Sequence, residues 1–101
     1  MLITYTLDKV PNTDGYELYF IRTKDKSTVG SIAGIDGKYQ VVFDTYSSQP
    51  PYTSDVLLLS LEEAKKHFIE KRIEHTQDSQ YRMHLMFHGV KIDPDVKIEL
   101  L

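Results

Sequence analysis

The residues best equipped for chemistry in this chain are its four histidines, His67, His75, His84 and His88. His84 and His88 stand four apart, the spacing at which two imidazoles on one helix face can share a zinc ion. The surrounding pattern argues for a different geometry. Tyr81, Met83, Leu85 and Phe87 alternate with Arg82, His84, Met86 and His88, the period-2 signature of a strand with one face inward. At ~3.3 Å per residue, His84 and His88 are then about 13 Å apart, too far for one metal. His67 and His75 fall about 12 Å apart along a helix rising ~1.5 Å per residue. No metal site and no cofactor is expected. The outward row of Arg82, His84 and His88 instead puts a guanidinium and two imidazoles on one strand face, a surface suited to a small anion or a nucleotide.

Two further groups could bind rather than react. Tyr46 and Tyr52 lie in the polar stretch Thr45–Asp55, among Ser47, Ser48, Gln49, Thr53 and Ser54. Tyrosine beside serine is the composition of recognition surfaces, rigid amphipathic area next to adaptable hydrogen-bonding groups. Long loops in compact domains are commonly functional. Arg72, with Lys65, falls inside the apolar arc of a helix. Either its stem packs on the sheet while the charged head reaches the edge, helped by the negative helix C-terminus, or the guanidinium takes an acidic partner or a phosphate.

Catalytic constellations are missing from the sequence. There is no cysteine, which removes thiol nucleophiles, thiolate metal sites and disulfides together. The serines fall in turns, loops, a helix cap or a weak strand, with none at a strand-to-helix elbow. Gly30-Ser31-Ile32-Ala33-Gly34 is followed by a strand pattern rather than a helix, so it is no dinucleotide loop. Asp93-Pro94-Asp95 reads as a turn. No residue is assigned a catalytic role, and the chain reads as non-enzymatic.

The elements that must position these groups are mostly strands. Ile3, Tyr5 and Leu7 share one face of Leu2–Leu7. In Tyr16–Thr23, Leu18 and Phe20 share one face while Tyr19 and Ile21 share the other. Asp36-Gly37 suits a type I′ turn joining Thr28–Ile35 to Lys38–Asp44. Gly30 and Gly34 inside the first of these mark a bulge or a close backbone approach. Val56–Leu59 reads as a short buried strand or a lead into the helix, Thr76–Gln80 as a linker, and Val96–Leu101 as an edge strand.

The helix itself is announced by Ser60-Leu61-Glu62-Glu63, a capping box. The Ser60 hydroxyl accepts the Glu63 amide, and the Glu63 carboxylate reaches back to the Ser60 amide. From there to about residue 75, Leu61, Ala64, Phe68, Ile69 and Ile73 form one broad apolar face.

At 101 residues, with 41% hydrophobic and 27% charged, the chain is a single ordinary globular domain, 1–101. No run approaches the ~20 apolar residues needed to span a bilayer. The first residues have neither the basic nor the apolar region of a secretory signal, and a cysteine-free domain of this size suits the cytoplasm. The net charge of -3 is spread evenly, which argues against nucleic acid as a partner. The expected fold is α+β: an antiparallel sheet of five to seven strands with one principal amphipathic helix, about 61–75, packed on one face. Tyr19, Ile21 and Val42 would leave the other face partly apolar, for the chain termini or a homodimer to cover. The expected function is a small interaction protein recognising another protein. Its type would be accessory or inhibitor, in the short, motif-poor style of phage and mobile-element accessory proteins. The alternative is a small-anion or nucleotide binder, using the Arg82/His84/His88 face or the 45–55 loop.

Overall fold

A computed structural model describes residues 1–45, 50–54 and 57–101. The elements run β1 (Leu2–Lys9), β2 (Glu17–Arg22), β3 (Thr28–Ile35), β4 (Lys38–Phe43), β5 (Tyr52–Thr53), α1 (Leu61–Phe87) and β6 (Lys97–Leu100). The strands form one sheet in the order β5-β4-β3-β2-β1-β6, on which α1 packs, an α+β fold. The sheet is mostly antiparallel, but β6 runs parallel to β1 and so departs from the expected antiparallel arrangement. A parallel neighbour cannot be reached by a hairpin. Here the chain returns to β1 only after crossing along α1. β1 serves two neighbours in turn: Leu2–Tyr5 pair with β6, and Thr6–Lys9 pair with β2.

The hairpins follow the turn chemistry. Asp36 and Gly37 take φ of 53° and 75°, and Ile35 sits opposite Lys38, as an Asp-Gly turn requires. Gly34 lies opposite Tyr39, whose ring occupies the space a Cβ there would need. The cross-strand register sorts the side chains. Ile3, Tyr5, Leu7, Tyr19, Ile21, Ile32, Tyr39, Val41, Phe43, Ile98 and Leu100 share the face toward α1. Tyr19 and Ile21 therefore do not leave an outer apolar face with Val42. Val42 shares that face with Leu18 and Phe20, all half-buried.

The start of α1 is set by the capping box in a slightly altered form. The Glu63 amide donates to Ser60 Oγ at 3.1 Å, while Glu63 Oε2 accepts from the Leu59 amide at 3.0 Å rather than from that of Ser60. Ahead of it, Leu58 exchanges backbone hydrogen bonds with Tyr39, but Leu57 and Leu59 are exposed, so the described part of 56–59 is not a buried strand.

The far end of α1 departs most from the pattern. The helix does not stop at 75 but runs 27 residues to Phe87, so the linker Thr76–Gln80 and the strand Tyr81–His88 are both helical. The reason is cooperative. No Gly or Pro interrupts 61–88, and adding one residue to an existing helix gains a hydrogen bond for one residue fixed. Arg82 and Asp78 add an i, i+4 ion pair at 3.1 Å. The helix ends where His88 and Gly89 turn to φ of 36° and 123°.

The core closes around Phe68. Its ring meets Tyr5 and Phe43 edge-on, each at 5.6 Å between centroids. Ile21, Ile32, Val41 and Ala64 complete the fully buried set. Among the described residues no helix is long and apolar enough to cross a membrane. Phe68→Ala should cost about 3–5 kcal/mol, the range for emptying a large aromatic site. Met86→Ala, on the exposed part of the same helix, should stay within about 0.5 kcal/mol. Urea unfolding of both variants checks the contrast.

Candidate functional site

A single i, i+4 ridge organises α1. Ala64, Phe68, Arg72 and Thr76 are its buried members, and Gln80 and His84 continue it. The first four meet the sheet. The next two meet the returning segment 89–96, which runs from the helix end to β6. Gln80 Oε1 accepts from the Asp93 amide at 3.0 Å, and His84 Nδ1 lies 2.7 Å from the Val90 carbonyl oxygen. Gln77 Nε2 donates to the Pro94 carbonyl at 3.4 Å, and the α-amino group of Met1 to Asp93 Oδ2 at 2.8 Å. The returning segment is thus a strap, tied on one side to the helix and on the other to β1.

Arg72 lies within the structure rather than at its surface. It is 4% exposed, and its Nε donates to Tyr5 Oη at 3.3 Å while Nη1 donates to the Asp44 carbonyl. Its guanidinium carbon sits 5.8 Å from the Tyr5 ring centre and 5.4 Å from that of Phe43. Cation–π contacts and carbonyl acceptors offset the desolvation of a buried cation. Arg72 is therefore not a snorkelling edge residue: its guanidinium is engaged inside the fold, and it stands in mid-helix, far from the last turn. Lys65 does behave as the snorkelling pattern predicts, half-buried with Nζ 3.8 Å from Glu62.

Tyr46 lies outside the described residues. Tyr52 is on β5, where its ring stacks on Phe43 at 4.7 Å and its hydroxyl lies 2.7 Å from His67 Nε2. His75 approaches the same two rings, at 5.4 Å from Phe43 and 5.7 Å from Tyr52. The sequence offered His67 and His75 only as metal candidates. Their role here is to pin β5 to the helix, a contact that needs tertiary structure to be seen. Among the described residues no three His, Asp or Glu side chains converge on a point that could hold a metal.

Arg82, His84 and His88 are not a row on a strand. At ~100° per residue Arg82 and His84 are about 200° apart around α1. Arg82 pairs with Asp78, His84 turns to the strap, and His88 caps the helix with its amide on the His84 carbonyl. The strand-face anion site is corrected accordingly: the helix turns Arg82 away from His84, while His88 stands at the cap one turn beyond His84.

What the helix gathers instead is apolar. Tyr81, Met83, Leu85, Met86 and Phe87 are all exposed, Met86 at 71% and Phe87 at 63%. Met83, Met86 and Phe87 form an i, i+3, i+4 stripe, and Tyr81 and Leu85 an i, i+4 pair on the opposite side of the helix. The period-2 reading had placed four of these five in a core. With the sequence pattern alone, the only hint was the lack of a helix breaker before Gly89.

Comparison with family models, with curated proteins and with solved structures finds no match to this chain. The functional reading therefore rests on the geometry.

Replacing Arg72 by Ala should cost about 2–4 kcal/mol, because it empties a packed site and strips Tyr5 Oη and the Asp44 carbonyl of a charged donor. Millimolar phosphate should leave the Arg72 Nε resonance where it is. A selective shift would return Arg72 to the ligand-binding role. The strap supplies a pH prediction. Hydrogen bonds from the Met1 amino group and then the Asp95 amide hold the Asp93 carboxyl below the ordinary carboxylate range. With the folded value depressed, this contribution is present above the unfolded value of about 3.9 and is lost as pH falls through the folded one. Asp93→Asn should flatten that acid limb in melting temperature measured against pH.

Proposed function

We propose that this chain is a non-enzymatic interaction protein whose α1 end docks in an apolar groove of a partner protein. The observation that carries the reading is the exposure of Tyr81, Met83, Leu85, Met86 and Phe87 within one short stretch of helix. Concentrated apolar surface on a folded domain marks a site of association. Helix-in-groove recognition uses anchors at i, i+3 and i+4, the spacing of Met83, Met86 and Phe87. Methionine side chains adapt to an irregular groove. The Arg82–Asp78 pair supplies a polar rim beside them. A cysteine-free domain suits a reducing compartment, so the cytoplasm is the setting we assign, with an accessory or inhibitor role.

Of the two surfaces offered for the small-anion alternative, the strand face is helical, with Arg82 paired to Asp78 and His84 engaged on the strap, and the 45–55 loop lies partly outside the described residues. One experiment tests the docking reading. Tagged wild-type chain and the double variant M83E/F87E are recovered from cells of the source organism and their bound proteins quantified. The docking reading expects one stoichiometric partner, depleted about tenfold or more in the variant, the loss produced by removing a hot spot. The melting temperature should stay near wild type, because both positions are exposed. An identical partner set in both samples rejects the α1 end as the docking element.

A further inference from the structure

β6 closes one edge of the sheet, with β1 on one side and no strand on the other among the described residues. Its backbone groups alternate in direction. The Lys97 amide donates to the Met1 carbonyl at 2.8 Å and the Leu101 amide to that of Tyr5 at 2.9 Å, so these residues address β1. The groups of Ile98 and Leu100 address the outer edge instead. The side chains alternate too. Ile98 and Leu100 are buried toward α1, while Lys97 and Glu99 are exposed on the opposite face. A strand edge with outward donors and acceptors is a template for another strand.

The charges on β6 say which strand. We infer that β6 pairs antiparallel with β6 of a second copy, about a twofold axis at Ile98. In this register each Lys97 faces the partner's Glu99, and each Glu99 the partner's Lys97. Ile98 faces its own copy as a hydrogen-bonded pair, consistent with its outward backbone groups. Lys97 and Glu99 then form the non-hydrogen-bonded pair, where facing side chains are closest. Val96, Ile98 and Leu100 would carry the apolar inner row across the axis, with Val96 opposite Leu100.

The registers one step to either side fail on charge. Centring the axis on Lys97 sets Lys97 against itself and Asp95 against Glu99. Centring it on Glu99 sets Glu99 against itself. Parallel pairing in register stacks like on like at both positions. Like charges directly opposite destabilise a sheet. The arrangement is an isologous contact closing at two copies, which shields the edge from further strands. It goes beyond the docking of α1 and uses none of the residues 81–87.

Charge reversal tests the register. Sedimentation equilibrium over a concentration series is run on wild type, K97E, E99K, K97E/E99K and an equimolar mixture of the two single variants. Wild type should approach dimer mass as concentration rises. Each single reversal places like charges opposite at two symmetry-related sites and should weaken association about tenfold or more. The double reversal should restore the dimer, and the mixture should form a heterodimer. In wild type the Ile98 and Leu100 amides should gain hydrogen-exchange protection with concentration. A wild type of monomer mass throughout, or a dimer indifferent to both single reversals, overturns the proposal. M83E/F87E keeps dimer mass if the edge is the contact. Its dissociation would move the contact to α1 and likewise overturn the edge pairing, leaving the α1 reading to its own test.

Discussion

Everything in this fold is organised by one aromatic contact, the Phe68 ring lodged edge-on between Tyr5 and Phe43. Tyr5 is on β1 and Phe43 ends β4, on strands separated by two others in the sheet. For both to touch one side chain, the sheet must curl toward the helix. That curl brings Asp44 and Tyr5 within reach of the same guanidinium and lets Arg72 be buried at all. It also carries Tyr52 across Phe43 to His67. The polar contacts on this face are thus consequences of where the aromatic rings pack, since a buried cation without those partners would be far too costly.

The second organising fact is the division of labour along β1. Its second half belongs to the hairpin sheet, and its first half to β6. The chain reaches β6 only by passing up α1 and back along the strap. A two-strand piece built of β1 and β6 is therefore joined to the main sheet through β1 and to the helix through Gln77, Gln80 and His84. The charged alternation of β6 lies on this piece and the apolar end of α1 lies beyond the strap, while both pieces contribute to the core, Tyr5, Ile98 and Leu100 from one and Ile21, Ile32, Val41 and Phe43 from the other.

Much of this was legible in the residues. Ser60 and Glu63 fix where α1 starts, Asp36-Gly37 fixes a hairpin, and the alternation in 2–7 and 18–21 sorts the side chains onto two faces, although Tyr19 and Ile21 prove to be on the inner one. Each of these signals is local, and the structure realises it locally. The end of α1 was not legible, because Tyr-Arg-Met-His-Leu-Met-Phe-His satisfies a period of two without containing anything a helix rejects. A strand there would have needed a neighbour to pair with, whereas a helix already growing from Leu61 needs none. The parallel placement of β6 was equally hidden, since nothing within Val96–Leu101 specifies which strand it will meet. Arg72 was visible as an anomaly in the apolar arc, but its acceptors, a tyrosine 67 positions away and a main-chain carbonyl, are known only once the chain has folded.

The ridge along α1 changes character as it rises, from Phe68 in the core to His84 on a strap, and this sets how the helix opens. Amides near Ala64 and Phe68 exchange with solvent only when the whole domain unfolds, for they are buried with the sheet. Those of 81–87 are guarded by the helix ladder and two strap contacts alone, so they open locally at far lower free energy. The helix has a rigid root and a yielding tip. On the docking reading proposed above, a partner closing on the tip must first stop this breathing, and part of its binding free energy goes into that ordering. On the docking reading, the strap contacts of Gln80 and His84, which hold the tip partly ordered beforehand, reduce the ordering a partner has to impose.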